Sequence, residues 1–467
     1  MKDNSKKIIK GTAIYAIGNL GTKIITFLFV PLYTYYISPE EMGDYDLLLT
    51  TVALLTPMIT LRVSDAAYRW MLHRIKPERD CISATYRVIA LSTFLSAALI
   101  LGINAIFHVS YAYYFVLLLV LGRWLESLQT LLRGMQKQKL FAISGLLYTL
   151  IYVILNVIKI IGLHQGAEAL LQSTIISEFI TIIVILLSTK ELRTGIIRTE
   201  SNRGLTFDML RYSAPLVPSG LSWWVMGASD RYVIRWFLGR AATGVFSVAN
   251  KFPSLMSMLF TIFNYAWTDV AIADLKEGEE TSEYSTSVFQ KLYIVAFSFC
   301  LVLIPVTKVF TTTILSDSYK EASIYIAFLY LGSVFQGFTA FISAGLLQGT
   351  NTRSIAGSSF IGAIVNLSID LVAIRFIGLH AASVSTFMGF FVMWLLRMKD
   401  VQIVAPLKLN NLLFWPLFGG TILIACLSVY SNLIIDIVMS LIFGVVFVCI
   451  NKSVLLVMTK KALGKRK

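Results

Sequence analysis

The sequence predicts an all-α polytopic membrane protein with fourteen transmembrane helices, built as two six-helix repeats followed by two extra C-terminal helices. Three observations carry this expectation. The 467 residues are 57% hydrophobic and 14% charged, against roughly 25% charged in soluble domains. The apolar runs are about 20 residues or longer, enough to cross a ~30 Å hydrocarbon core as helices, and the alternating patterns of a membrane barrel are absent. The tetrapeptide Ile-Gly-Leu-His occurs twice, at 161–164 and 377–380, with matched flanks.

The first span is expected near 8–37. Residues 1–10 are basic, but the apolar run after them continues to Tyr36 without a small-residue cleavage site, so it is read as a span and not as a cleaved signal. Spans follow near 42–66, 82–107, 111–134, 140–162 and 168–190, giving an N-terminal lobe over 1–190. The polar, basic stretch 191–206 is the expected cytoplasmic linker. A C-terminal lobe over 207–400 holds spans near 207–238, 243–272, 287–314, 321–349, 354–377 and 381–400. Spans near 409–431 and 434–457 have no counterpart in the first half; with a basic tail they make up 401–467. Pro215-x-x-Pro218-Ser219-Gly220 should interrupt the seventh span, and Pro31 and Pro253 should bend the first and eighth, because proline removes a backbone hydrogen bond. Such bends serve either as hinges or as static adjustments to packing.

The repeat extends beyond the tetrapeptide. Lys159 and Arg375 each precede a copy by two positions. Leu131-Leu132-Arg133-Gly134 matches Leu346-Leu347-Gln348-Gly349, and the turn at 37–45 aligns with that at 238–246. With six spans each, both copies enter the membrane from the same side, as parallel repeats, a common build of transporters that rock one half against the other. Orientation follows from Lys and Arg: with the N-terminus in the cytoplasm, 29 of the 40 fall at inner segments or the cytoplasmic ends of spans and two, Arg240 and Lys320, at outer turns. Both termini are then cytoplasmic. Most of the +14 net charge is thereby explained by topology and headgroup contact with membrane lipids, and nucleic-acid binding is not needed. Cys81, Cys300, Cys426 and Cys449 have no paired spacing and read as small packing residues.

Charged residues fall inside the expected spans, among them Lys23, Arg62, Arg123, Lys159, Arg231, Arg235, Lys251, Lys308, Arg375, Asp65, Glu126, Glu178, Asp230, Asp269 and Asp370. Each would cost about 2.5–3.5 kcal/mol facing lipid, so each should face protein or a wet cavity. Arg62 with Asp65, and Arg123 with Glu126, are three apart and can pair on one helix face. Lys308 lies near a helix end and can snorkel. Arg231 sits beside Asp230, and on a continuous helix its side chain would point elsewhere. Lys23, Lys251 and Arg375 have no acid three or four residues away. Together with Arg62, Lys159 and Arg231 they are the candidate substrate-binding residues of a net cationic cavity between the repeats, a field suited to an anionic group such as a diphosphate. Asp65, Glu126, Glu178 and Asp370 are candidates for coupling to a proton or sodium gradient. Tyr15, Trp223, Trp224 and Trp267 either stack on sugars or serve packing. The chain has no Gly-rich phosphate loop, no His-Glu-x-x-His and no Gly-x-Ser-x-Gly, and His73, His108, His164 and His380 are scattered. Neither metal nor cofactor is expected, and the chain does not read as an enzyme.

The opening Gly11…Tyr15…Gly18-Asn19…Pro31-Leu32…Ile37-Ser38-Pro39-Glu40-Glu41-Met42-Gly43-Asp44-Tyr45-Asp46 resembles the start of polysaccharide repeat-unit flippases of the Wzx type, within the multidrug/oligosaccharidyl-lipid/polysaccharide exporter superfamily. Asn250-Lys251-Phe252-Pro253 after Gly244, Arg133-Gly134 and the run Gly162–Ala167 resemble further elements of that superfamily, and the similarity covers the first twelve spans. The resemblance implies a flippase of the bacterial cytoplasmic (inner) membrane. It would move undecaprenyl-diphosphate-linked oligosaccharide repeat units from inner to outer leaflet by alternating access, for lipopolysaccharide, capsule or exopolysaccharide biosynthesis beside a polymerase and glycosyltransferases. A lipid II flippase and a cation-coupled drug antiporter of the same superfamily are the alternatives. The antiporter usually has twelve helices and an acid-lined site. A membrane glycosyltransferase finds support only in Asp44-Tyr45-Asp46, and the short outer loops offer an acceptor no platform.

Overall fold

The computed structural model describes residues 21–22, 24–108, 111–197, 203–273, 279–348, 352–404, 406–452 and 456. It is all-helical, 91% helix with no strand among the described residues. Eleven helices are long and apolar enough to span a membrane, or twelve when one bent pair is taken as a single span. This is a multi-pass membrane protein. Of the fourteen expected spans, the first lies partly outside the described residues and the seventh is broken into short helices, so neither meets that length test. The chain divides into two compact units, Met1–Trp224 and Val225–Lys467.

In the first unit, α1 (Val30–Tyr36) opens with Pro31 in its first turn, where the missing N–H costs nothing. α2 (Pro39–Thr60) begins at a capping box: Ser38 Oγ accepts from Glu41 N at 3.3 Å while the Glu41 carboxylate accepts from Ser38 N at 3.2 Å. The second span, expected to be continuous, is not. α2 stops at Leu61, and α3 (Val63–Leu72) starts after Arg62, with a 63° bend between them. Leu61 and Arg62 both adopt left-handed backbone, φ 46° and 55°. Neither is glycine, so the sequence gives no sign of the break. Pro57 weakens the preceding turn, and Thr60 Oγ1 accepts from Arg62 N at 3.2 Å.

α4 (Glu78–Phe107) and α5 (Ala112–Gly134) pack on α3 around Ala66, Ala67, Cys81, Ile82, Leu128 and Leu131. The small residues let the backbones approach closely. α6 (Gln138–Asn156) ends in one wide π turn over Val157–Gly162, and α7 (Ala167–Ser188) returns against α5 and α6. α8 (Lys190–Ile197) lies within the stretch read as linker, and α9 (Arg203–Ser213) packs on α3 and α4. The expected interruption is present: a 3-10 turn over Ala214–Leu216 separates α9 from α10 (Val217–Ala228).

The second unit begins with the end of α10 and with α11 (Asp230–Phe237). Long helices follow: α12 (Arg240–Ala273), α13 (Glu279–Ile314), α14 (Ala322–Gln348), α15 (Thr352–Ile377) and α16 (Leu379–Val404). α17 (Asn411–Tyr430) and α18 (Leu433–Ile450) form the final hairpin. Its seat is aromatic: Trp394 of α16 stacks on Phe414 of α17 at 5.2 Å, and Phe297 of α13 meets Phe414 and Phe418 edge-on or tilted. Of the two repeated glycines, Gly378 takes φ +56° between α15 and α16. Gly162 does not; in that copy the left-handed residue is His164, φ 51°, after the π turn.

Candidate functional site

The first unit encloses a polar cavity of about 500 Å³ between α2, α3, α5, α6 and α7, with Gly220 of α10 at its rim. Its charges stand where helix geometry puts them. Arg62, at the break, bonds Asp65 one turn on through Nε at 2.6 Å, as the three-residue spacing predicts. Arg123 bonds Glu126 at 2.6 Å and also reaches the Thr56 hydroxyl across the cavity. Thr60, Ser64, Ser127, Thr130 and Thr174 add hydroxyls to the wall. The break at Leu61–Arg62 is what turns Arg62 and Asp65 into lining residues, since α3 leaves the axis of α2 there.

Glu178 of α7 completes the group. Its Oε2 is buried without a hydrogen-bond partner, and Oε1 occupies space that a side chain at Gly122 would need; a Cβ there would sit 3.1 Å away. A second cavity of about 340 Å³, lined by Thr22, Thr26, Gln129, Phe141, Gly145 and Thr149, shares Tyr148 and Glu178 with the first. The carboxyl therefore stands in a common wall. Two arginines face three carboxyl groups in the first cavity, which is thus not net cationic. Paired arginines, carboxylates and hydroxyls in a partly apolar pocket suit the hydroxyl groups of sugars.

The remaining sequence candidates are distributed as follows. Lys23 and Tyr15 lie outside the described residues. Lys159 stands on the π turn and donates to Gln172 Oε1, whose amide donates to the Tyr114 hydroxyl at 3.0 Å. Arg375 is exposed in the last turn of α15, 4.9 Å from the Phe237 ring, a place where a cation meets the negative helix end. Neither lines the cavity of the first unit. Lys251 is half-buried two residues before Pro253, and its ammonium has no partner among the described residues. Arg231 corrects the sequence reading: it pairs with its neighbour Asp230 at 2.7 Å. The contact is local: at the start of α11 the Asp230 carboxylate accepts both the Arg231 guanidinium and the Arg231 N–H. Trp267 is buried, stacked on Phe341 at 4.4 Å, and donates to the Phe341 carbonyl.

Asp370 of α15 is fully buried in the second unit, and neither carboxyl oxygen has a hydrogen-bond donor among the described residues. One turn away Asn366 donates to Ser385 Oγ at 3.3 Å, and its own Oδ1 is likewise without a donor. Asp230 is near enough to act on Asp370 electrostatically. Three acceptor oxygens without donors can take a proton or a small cation. Asn366 was not read from the sequence, although its spacing of four from Asp370 places both on one face.

Two further buried cations were not foreseen. Lys308 does not snorkel: it is buried, donates to the carbonyls of Ser428 and Ser431 and to Ser431 Oγ, and stands 3.5 Å from Asp436. Arg397 is 1% exposed and makes five hydrogen bonds, to the hydroxyls of Ser343, Ser358 and Ser359 and the carbonyls of Thr339 and Ile355.

Comparison with known proteins fits this architecture. The structure of the lipid II flippase MurJ in an inward closed conformation is similar with a TM-score of 0.69 and 12% identity, over 95% of this chain and 100% of that one. An inward-facing multidrug resistance MATE family transporter of the MOP superfamily aligns with a TM-score of 0.65 and 16% identity, over 83% of this chain and 98% of that one. A Vibrio cholerae MATE transporter gives 0.57 and 11%, over 86% and 98%. No curated protein matches the chain. The family described as polysaccharide biosynthesis protein matches residues 8–272, more than half the length. The chain therefore belongs to the polysaccharide biosynthesis protein family, on the fold of the multidrug/oligosaccharidyl-lipid/polysaccharide exporter superfamily.

Proposed function

We propose that the protein is a flippase that moves undecaprenyl-diphosphate-linked oligosaccharide repeat units from the inner to the outer leaflet of a bacterial cytoplasmic membrane by alternating access. Its place is polysaccharide biosynthesis, beside the polymerase and glycosyltransferases of that pathway. It has fourteen spans and both termini in the cytoplasm. The observation that carries the reading is the cavity of about 500 Å³ lined by hydroxyls and arginine–carboxylate pairs in a membrane-spanning unit of a polysaccharide-family chain. The sugars occupy such a cavity while the polyprenyl tail stays in lipid. Lys23 and Lys251 hold the diphosphate, since a charge-assisted contact is roughly twice as strong as a neutral hydrogen bond. Arg62, Arg231 and Lys159 are already engaged by Asp65, Asp230 and Gln172, and Arg375 is the exposed member of the set. Of the four acids, Asp65 and Glu126 are held by arginines, which leaves Glu178 and Asp370 to couple transport to an ion gradient.

Deleting the gene in its host tests this. Surface polysaccharide disappears, and repeat units on undecaprenyl diphosphate accumulate, accessible only from the cytoplasm. Lys23→Ala gives the same defect with normal protein levels, and Lys23→Arg keeps part of the activity because a point charge is retained. Accumulation of lipid II instead would assign the chain to peptidoglycan precursors. Unchanged polysaccharide with altered drug resistance would assign it to drug export.

A further inference from the structure

We propose that the first unit contains a proton path, a file of buried hydroxyls joining Glu178 to the bundle end closed by the turns at 37–39 and 163–166. Tyr148, Tyr152 and Asn156 stand four residues apart and form one ridge along α6. At the far end Asn156 Nδ2 donates to the Tyr33 hydroxyl at 3.1 Å. The Tyr33 hydroxyl lies beside that of Tyr152, and the Tyr152 and Tyr45 hydroxyls are 3.4 Å apart. Tyr45, Tyr148 and Thr174 line one cavity wall with Glu178, which lies one turn of α7 beyond Thr174. Tyr33, Tyr45, Tyr152, Thr174 and Asn156 are all buried. Phenylalanine and valine would fill the same volumes in a lipid-embedded bundle without desolvating a polar group, so packing does not account for this row of hydroxyls.

The row has a direction. Because Asn156 supplies the proton of its bond to Tyr33, the Tyr33 hydroxyl is left to donate its own toward Tyr152. It also has an interruption. Thr174 Oγ1 donates to the Leu170 carbonyl at 2.8 Å. In that rotamer it receives a proton and passes none on. Threonine on a helix has two accessible rotamers, and rotation about its first side-chain bond closes the file. At the near end Glu178 faces Arg123 and Glu126 from α5 and Tyr148 from α6, with Tyr45, Arg62 and Asp65 on the cavity wall from α2 and α3. Glu191 of α8 is held by Lys137.

The transfer balances as a relay. A hydronium at the Tyr33 end becomes water, each hydroxyl in turn gains one proton and loses one, and the Glu178 carboxylate becomes a carboxylic acid. The number of O–H bonds made equals the number broken, and nothing is oxidised. Release to water in the cavity restores the carboxylate. The inference rests on the transporter reading only for the use made of the proton.

The test uses the full chain in sealed phosphatidylethanolamine–phosphatidylglycerol vesicles loaded with a pH-sensitive dye, with proton uptake driven by a potassium diffusion potential. The expected result is uptake faster than in empty vesicles, slowed about tenfold by Tyr152→Phe, Thr174→Val or Glu178→Gln, the scale of losing one hydrogen-bonded step. Tyr86→Phe keeps the parental rate, since that hydroxyl bonds the Leu192 carbonyl outside the file. Parental uptake in both Tyr152→Phe and Thr174→Val overturns the path, as does a parent no faster than empty vesicles. Surface polysaccharide is scored separately. Its loss in variants with parental uptake removes the path and leaves the flippase reading standing. Its persistence after gene deletion removes that reading and leaves the vesicle result to judge the path.

Discussion

Replacing Lys308 by methionine removes a cation that the final hairpin encloses. Lys308 comes from α13; its acceptors, the Ser428 and Ser431 carbonyls and Ser431 Oγ, lie in the last turn of α17 and at its C-cap. Asp436, 1% exposed, stands 3.5 Å from the ammonium and also accepts from Ser431 Oγ at 2.5 Å. The side chains are 8% and 1% exposed, so neither partner has water to fall back on. Lys308→Met strands the carboxylate, and breaking a buried pair from one side costs about 3–5 kcal/mol. For a unit of this size that lowers the melting temperature by about 10 °C. Lys308→Met with Asp436→Leu removes both charges and recovers most of the loss, because apolar replacement of a whole buried pair is often neutral. Thermal unfolding in detergent, followed by tryptophan fluorescence, measures all three proteins. A single variant melting within about 2 °C of the parent would refute the argument that this pair is dry and coupled.

Other consequences follow from the same geometry. Gly122→Ala puts a Cβ 3.1 Å from Glu178 Oε1 and displaces the carboxyl; helix propensity favours alanine by about 1 kcal/mol, so the protein folds while polysaccharide export falls as it does in Glu178→Gln, and normal export would show that the carboxyl position is immaterial. Arg397→Lys leaves at least two of five acceptors unmet, since an ammonium has three donors; a loss of about 2 kcal/mol is expected in the melting assay. Lys137 holds the Glu191 carboxyl below the ordinary carboxylate range. The stability it adds, under about 1 kcal/mol for so exposed a pair, is complete above the unfolded carboxylate value and disappears as pH falls through the lowered one. The parent should therefore outmelt Glu191→Gln at neutral pH and match it in acid; a gap that persists in acid contradicts the assignment.

The legible parts of this molecule were local ones. Arg62 with Asp65 and Arg123 with Glu126 could be paired from spacing alone, because three residues bring side chains together on any helix. Pro215 announced the first break of the seventh span. The break at Leu61–Arg62 was silent, because two ordinary residues adopt left-handed backbone under tertiary constraint. Asp230 and Arg231 were separated because adjacent side chains diverge on a helix, yet the long guanidinium stem reaches back to the neighbouring carboxylate. Lys308 was misread because its acceptors lie in a distant turn, and a lone sequence cannot show that a helix end is covered. Glu178 was picked out by its charge, but the glycine that seats it belongs to another helix. The Tyr148–Tyr152–Asn156 ridge was visible in the spacing and passed over, since tyrosines in a membrane span read as packing.

The hairpin of α17 and α18 decides which residues α13 can carry. It is joined to α13 near one end by Lys308 and Asp436 and near the other by Asn451, whose amide donates to Ser298 Oγ at 2.9 Å. Without the hairpin, position 308 would face lipid, where a lysine costs about 2.5–3.5 kcal/mol. The lysine and the hairpin therefore depend on one another. Removing α17 and α18 from the chain leaves a charge on α13 that only the hairpin covers, so the deletion costs more than the packing area it removes.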